Sequence, residues 1–188
     1  MRVLDYLFVA CWIAFWLYWL VTAVAGRRQH GGSGGLWSGQ SVGLRAVLAL
    51  VVILGLRAHL LTGQGGAVSN PAWRWICFGV FLVGLSVAVW ARVHLGSNWG
   101  QPMSQRAEPE LITTGPYRYV RNPIYSGLIL AMAATALAFN FYGLIVVSLV
   151  SAYFIYSGVV EERSMANRFP NTYPAYKRST KMLIPFVI

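Results

Sequence analysis

Read as a pattern of apolar and polar positions, the chain breaks into five apolar runs of roughly membrane-crossing length, separated by polar gaps. A crossing helix needs about 20 largely apolar residues. The first run, roughly Val3–Ala25, contains an uncharged stretch of 20 residues from Tyr6 to Ala25. Ala23-Val24-Ala25 imitates a signal-peptide cleavage site, but the run is too long for the apolar core of such a peptide. Arg27 and Arg28 close it, so it reads as an uncleaved first span. A Gly/Ser-rich connector, Gly26–Ser41, leads to a second span near Val42–Leu61 and, past Pro71, a third near Trp73–Leu95. The fourth and fifth, Pro123–Phe139 and Gly143–Val160, are separated only by Asn140, Phe141 and Tyr142, which predicts a tight helical hairpin. The fourth carries Gly127, Ala131, Ala133, Ala134, Ala136 and Ala138, small side chains that let helices approach closely in lipid. Glu161–Ile188 is polar, aromatic and too interrupted to span. The fold class is therefore all-α: a polytopic membrane bundle of about five transmembrane helices with a C-terminal helical and aromatic cap. It reads as one integral membrane domain over 1–188, with N-terminal spans in 1–89 and the chemistry in 90–188.

Composition agrees with that picture. The hydrophobic fraction is 57% and the charged fraction 11%, against soluble averages of about 45–50% and about 25%. A net charge of +10 raises nucleic acid as a partner, but the basic residues are scattered through the gaps between apolar runs. That is the distribution of loops facing anionic lipid. Assigned to the nearer span end, twelve basic residues fall on the side of the first loop, central segment and C-terminus; Arg2, Arg57 and Arg74 fall on the other. The positive-inside rule then puts the N-terminus outside and the central and C-terminal segments in the cytoplasm. In a bacterial cell this is an inner-membrane protein. Cys11 and Cys77 lie inside apolar runs and make no zinc pattern, so no metal is expected. No repeat of fixed period and no paired broken helices support a transporter.

Three segments have the residues for chemistry. Trp90–Trp99 closes the third span with Arg92 and His94. It reads equally as a span end with a snorkelling arginine or as part of a site. Leu111–Gly127 has Gly115-Pro116 as a turn signal and Asn122 as a cap before Pro123. Were Tyr117–Arg121 helical, Arg118 and Arg121 would face the same way. An amphipathic interfacial helix is the bland alternative. Glu161-Glu162 supplies two of only five acids in the chain. At the end of the last span a helix C-terminus disfavours negative charge, and adjacent carboxylates repel. Arg118, Arg121, Arg163 or a cationic ligand would compensate them. Phe169–Arg178 adds aromatic faces and basic tips, for a lid or for the membrane surface.

These pieces carry a resemblance. Ala91-Arg92-x-x-Leu95-Gly96-x-Asn98-Trp99, then Leu111-x-x-x-Gly115-Pro116-Tyr117-x-x-x-Arg121-x-Pro123-x-Tyr125-x-Gly127, then Glu161-Glu162, and finally Phe169-x-x-x-Tyr173-x-x-Tyr176 with Ile184-Pro185 stand in that order. The chain thereby resembles the superfamily of isoprenylcysteine carboxyl methyltransferases and phospholipid methyltransferases over roughly Trp90–Pro185. The resemblance implies an integral membrane enzyme dependent on S-adenosylmethionine (giving S-adenosylhomocysteine), with a capped cytoplasmic cofactor pocket. Carried over, Leu111, Gly115, Tyr117, Arg121, Asn122, Pro123, Tyr125, Glu161 and Glu162 fall at the cofactor, and Arg92, Arg121 and Glu162 are the candidate catalytic residues. The chain departs from its relatives at Pro109 and Asn122, where they often have histidine, and at Pro170, where they have glycine. Ser157 stands where eukaryotic prenylcysteine enzymes have arginine.

The expected reaction is direct methyl transfer to a lipophilic acceptor arriving from the bilayer. A carboxylate or thiol is the leading acceptor, since neither needs a base during attack. Phospholipid amine methylation is the alternative. A nicotinamide-dependent membrane reductase and a non-enzymatic scaffold binding lipid are the remaining rivals. Expected partners are that substrate and membrane lipids, not nucleic acid.

Overall fold

A computed structural model describes residues 2–29, 70–96 and 111–183, without the side chains of 2 and 23–29. Among the described residues there are five α-helices: α1 (Arg2–Gln29), α2 (Pro71–Leu95), α3 (Pro123–Phe139), α4 (Gly143–Arg168) and α5 (Tyr173–Ser179). A 3₁₀ turn, Gly115–Arg118, precedes α3. Among the described residues the architecture is all-helical, and the cross-chain pairing of Val120 with Lys181 is an isolated bridge. Helices α1, α2 and α4 are long and apolar enough to cross a membrane, and α3 is a shorter apolar helix of 17 residues. They match the first, third, fifth and fourth expected spans. The second expected span, Val42–Leu61, lies outside the described residues.

One expectation fails. The apolar pattern ends at Val160 and predicts the two glutamates at a helix C-terminus, but α4 continues through them to Arg168. Glu161, Glu162 and Arg163 are polar yet helix-compatible, and no glycine or proline interrupts them before Pro170. The glutamates therefore sit well inside the helix, where the terminal dipole has little hold on them.

Contacts divide the chain into two compact units, and α2, α3 and α4 each contribute to both. The first comprises Met1–Val80 and Ala133–Val150. Asn70 opens α2 by accepting the backbone N–H of Ala72 at 3.0 Å, which with Pro71 at the first helical position is a standard start. Phe8 packs edge-on against Phe78 at 5.1 Å and Phe139 at 5.0 Å. Arg74 is buried, donates to Asp5 and lies 4.8 Å from the centre of the Phe139 ring. A guanidinium this deep needs both a counter-charge and an aromatic face to offset its lost hydration. Val3, Tyr6, Val9, Ile13, Leu17 and Leu20 are exposed along α1, an apolar face suited to lipid.

The second unit comprises Phe81–Met132 and Ser151–Ile188. Here α2 and α3 meet backbone to backbone. A Cβ on Gly84 would fall 2.7 Å from both Ala131 N and Gly127 O; one on Gly127 would fall 2.5 Å from Gly84 O and 2.7 Å from Ala88 N. Small residues let TM helices gain dispersion contacts where no hydrophobic force drives them together. The expected small-residue role of the fourth span is realised at Gly127 and Ala131.

Gly127→Leu has no room to relax into, and overpacking of this kind costs about 1–3 kcal/mol. Thermal unfolding in detergent is expected to show a clear drop in midpoint. Gly79→Ala, where nothing lies within 4 Å of the added atom, should leave the midpoint unchanged or raise it.

Candidate functional site

The site residues all belong to the second unit, and their placement begins at Gly115. Its φ of +60° is left-handed, and a Cβ there would collide with the imidazole of His94. Glycine is thus required twice over: by the backbone and by the ring laid against it. Gly115 and Pro116 open the 3₁₀ turn and bury Tyr117, whose hydroxyl donates to Ala91 O at 3.4 Å. The turn ends at Arg118. Val120 is buried and runs beside Lys181, with Arg121 N donating to Lys181 O at 2.8 Å.

Because the turn is short and ends there, Arg118 and Arg121 do not share a face. Arg118 is exposed. Arg121 turns inward, donating through Nε to Glu162 Oε1 at 2.6 Å and through Nη1 to Lys177 O at 3.2 Å and to Thr180 O. A helix over Tyr117–Arg121 was the condition for the shared face, and the bridge to Lys181 replaces it.

Asn122 spends its polar atoms on the C-terminal strap: its backbone N–H and Nδ2 both donate to Met182 O, at 3.1 and 3.3 Å. Ser126 Oγ lies 2.5 Å from Leu183 O. Gly158 makes space for the same strap, since a Cβ there would lie 2.5 Å from Met182 Cε. The Tyr176 hydroxyl donates to Tyr117 O at 2.7 Å, seating α5 on the 3₁₀ turn. Within the segment expected as a lid or a surface helix, α5 is thus a short helix packed on the 3₁₀ turn.

The paired glutamates separate into two roles. Glu162 is buried and doubly neutralised, by Arg121 at 2.6 Å and by Lys177 Nζ at 2.6 Å from Oε2. Glu161 meets no cation among the described residues; Oε2 accepts only a long hydrogen bond, 3.4 Å, from the Tyr125 hydroxyl. Beside it Tyr125 stacks on Phe154, rings 4.7 Å apart and 6° from parallel, with Tyr153 tilted against Phe154. A half-buried carboxylate without a counter-ion is costly. This chain thus holds one carboxylate that a cationic ligand would complete and one that it would not. The sulfonium and ammonium of S-adenosylmethionine fit the first; Tyr117 and Tyr125 supply aromatic faces close by.

Of the other expected residues, Pro123 is fully buried at the start of α3 and Leu111 is half-buried. Arg92 is buried near the end of α2, donating to Gly96 O at 3.0 Å, while His94 is exposed with its ring edge-on to Trp90. Two participants were missed. Lys177 was read only as a basic tip, although its i,i+4 spacing from Tyr173 puts both on one face of a helix. Phe154 sits in an apolar run and carries no sequence signal of its own.

Burial, the Glu162 charge and, more weakly, Glu161 push the Tyr173 hydroxyl up to about 12; burial foremost does the same for Tyr176. Tyr117 is also raised, again by burial first. A raised acid pKa means that folding favours the protonated phenol. The stability it provides is complete below the ordinary value of about 10 and drains away as pH climbs from there to about 12, on the order of 2 kcal/mol per hydroxyl. Unfolding midpoints recorded from pH 8 to 11.5 should fall above pH 10, and less steeply in Tyr173→Phe. Glu162→Gln strands the largely buried Arg121 guanidinium and is expected to cost about 3 kcal/mol. Lys177→Gln, which breaks the half-exposed side of the same bridge, should cost under about 1 kcal/mol.

No curated protein matches the chain. A family model described as phospholipid methyltransferase matches residues 73–172, more than half of the chain. The match begins earlier than the resemblance read from motifs, near the start of α2, and stops before α5. With its long apolar helices, the chain belongs to the phospholipid methyltransferase family and is a membrane methyltransferase.

Proposed function

We propose that the protein transfers a methyl group from S-adenosylmethionine to the amine of a phospholipid headgroup presented from the bilayer. The observation that carries this reading is Glu161, a half-buried carboxylate among aromatic rings with no cation paired to it among the described residues. S-adenosylmethionine, when bound, supplies a methyl on a positively charged sulfur that is already an activated leaving group. Glu161 balances that positive charge, while Tyr117, Tyr125 and the cap formed by α5 position the ligand and exclude water.

A carboxylate acceptor, expected because it needs no base, needs an arginine to orient it, Arg92 or Arg121; Arg92 is buried with Nη1 on Gly96 O. Arg121 is occupied by Glu162 and by the carbonyls of Lys177 and Thr180, and Ser157 stands where prenylcysteine enzymes have arginine. The remaining electrostatics suit a cation. An ammonium next to a sulfonium gives up its proton more readily, because like charges lower its pKa. Glu161 is the carboxylate assigned to accept that proton, leaving the neutral amine to take the methyl as S-adenosylhomocysteine departs. The acceptor reading, the cytoplasmic location of the site and the entry of substrate from the bilayer rest on this charge distribution, on the family and on the excess of basic residues in the segments flanking the site.

Calorimetric titration of the purified protein should give micromolar binding of S-adenosylmethionine and none of NADPH. Glu161→Gln should weaken the cofactor about tenfold or more. Radiolabelled methyl is expected in amine-bearing lipids rather than in prenylcysteine analogues. Undiminished binding to Glu161→Gln overturns the role of Glu161; label in the prenylcysteine analogue overturns the acceptor.

A further inference from the structure

Glu162 holds two cations of very different standing. Arg121 is largely buried, with 11% of its side chain exposed, and is fixed by Glu162 and by two carbonyls of the cap. Lys177 is 52% exposed, and its ammonium has the Glu162 carboxylate as its one ion-pair partner among the described residues. An exposed ion pair is weak, and a lysine ammonium is a mobile point charge on a flexible stem. When Lys177 lets go, Glu162 keeps Arg121 and stays neutralised. Nothing in the site has to be rebuilt.

The position of Lys177 gives that freedom a use. Tyr173 and Lys177 are four apart on α5 and share a face. The Tyr173 hydroxyl feels the charges of both Glu162 and Glu161, so this face of the cap is turned toward the acidic pair. The charged groups at Lys177 are thus Glu162, which it pairs, and Arg121 on the other oxygen of the same carboxylate. Arg178 is the next residue and is exposed, and no described acid pairs with it. A cation that can be released is therefore held on the carboxylate next in sequence to the one that lacks a cation.

From this we infer that Lys177 is the core of a phosphodiester subsite: it leaves Glu162 to bind a lipid phosphate, with Arg178 adding charge. The inference rests on the phospholipid-amine reading above and names the part of the acceptor that the reading leaves unassigned. A phosphoethanolamine head has its ammonium and phosphate separated by a two-carbon arm. The amine end goes to the Glu161 side, where it loses its proton next to the sulfonium, and the anionic end goes to Lys177. A zwitterionic head is thereby distinguished from a simple amine by opposite charges on α4 and α5.

Binding of dihexanoyl phosphatidylethanolamine, dihexanoyl phosphatidylglycerol, inorganic phosphate and a long-chain primary amine lacking phosphate is measured by calorimetry on the full chain and on two variants. Lys177→Met should weaken both phospholipids about tenfold and leave the plain amine and S-adenosylmethionine unchanged. Lys177→Arg should restore the phospholipids, which also shows that the cap still folds. In turnover the Met variant should raise KM for phosphatidylethanolamine with little change in kcat. Equal weakening of the plain amine, or no weakening of either phospholipid, overturns the subsite. Competition by inorganic phosphate at millimolar levels that disappears in Lys177→Met supports recognition of the phosphate itself. If inorganic phosphate displaces the lipids equally well from wild type and variant, the subsite is elsewhere and the inference falls. Should the phospholipids bind through Lys177 while no amine is methylated, the subsite stands and the acceptor reading falls instead.

Discussion

The carboxylate of Glu162 holds the second unit in register. One oxygen takes the Arg121 guanidinium, the other the Lys177 ammonium, and Arg121 in turn reaches the carbonyls that end α5. Through those few bonds the end of the central segment, the C-terminal third of α4 and the C-terminal cap are fixed to one another. The bridge from Val120 to Lys181 and the two donations of Asn122 to Met182 extend the same arrangement along the strap. A charged side chain this buried is tolerated only when it is paired and hydrogen-bonded, and here the pairing doubles as architecture. Glu161, one residue away, is left out of the network. That omission makes it available to a ligand.

Much of this was legible in the chain. Apolar runs placed the helices, and Asn140-Phe141-Tyr142 marked the hairpin to the residue, since α3 ends at Phe139 and α4 starts at Gly143. Gly115-Pro116 announced a turn and Gly127 a close approach, because each reports a backbone requirement that glycine or proline alone meets. What could not be read was which face each charge adopts. Glu161 and Glu162 look equivalent in sequence; their separation depends on where α5 docks, a long-range event that local pattern does not encode. The same holds for Arg118 and Arg121, whose directions are set by pairing with Lys181 rather than by helical spacing. The length of α4 was misjudged for a related reason: polarity ended the apolar pattern at Val160, but helix propensity carried on to Arg168.

The motif at Asn122 illustrates how a substitution relative to the resembling enzymes can be absorbed. Asparagine before Pro123 cannot carry a proton, yet its amide ties down Met182 and thereby the strap. The position serves the assembly of the cap.

Gly84 and Gly127 bring α2 and α3 so close that an added methyl meets backbone. A hydrocarbon chain is wider than the gap between those two helices. The seam is consequently sealed to lipid along its Gly84–Ala131 stretch, and any amphiphile that delivers its head to Glu161 must leave its tails on another flank of the unit. The glycines that permit close packing therefore also close one route of entry from the bilayer.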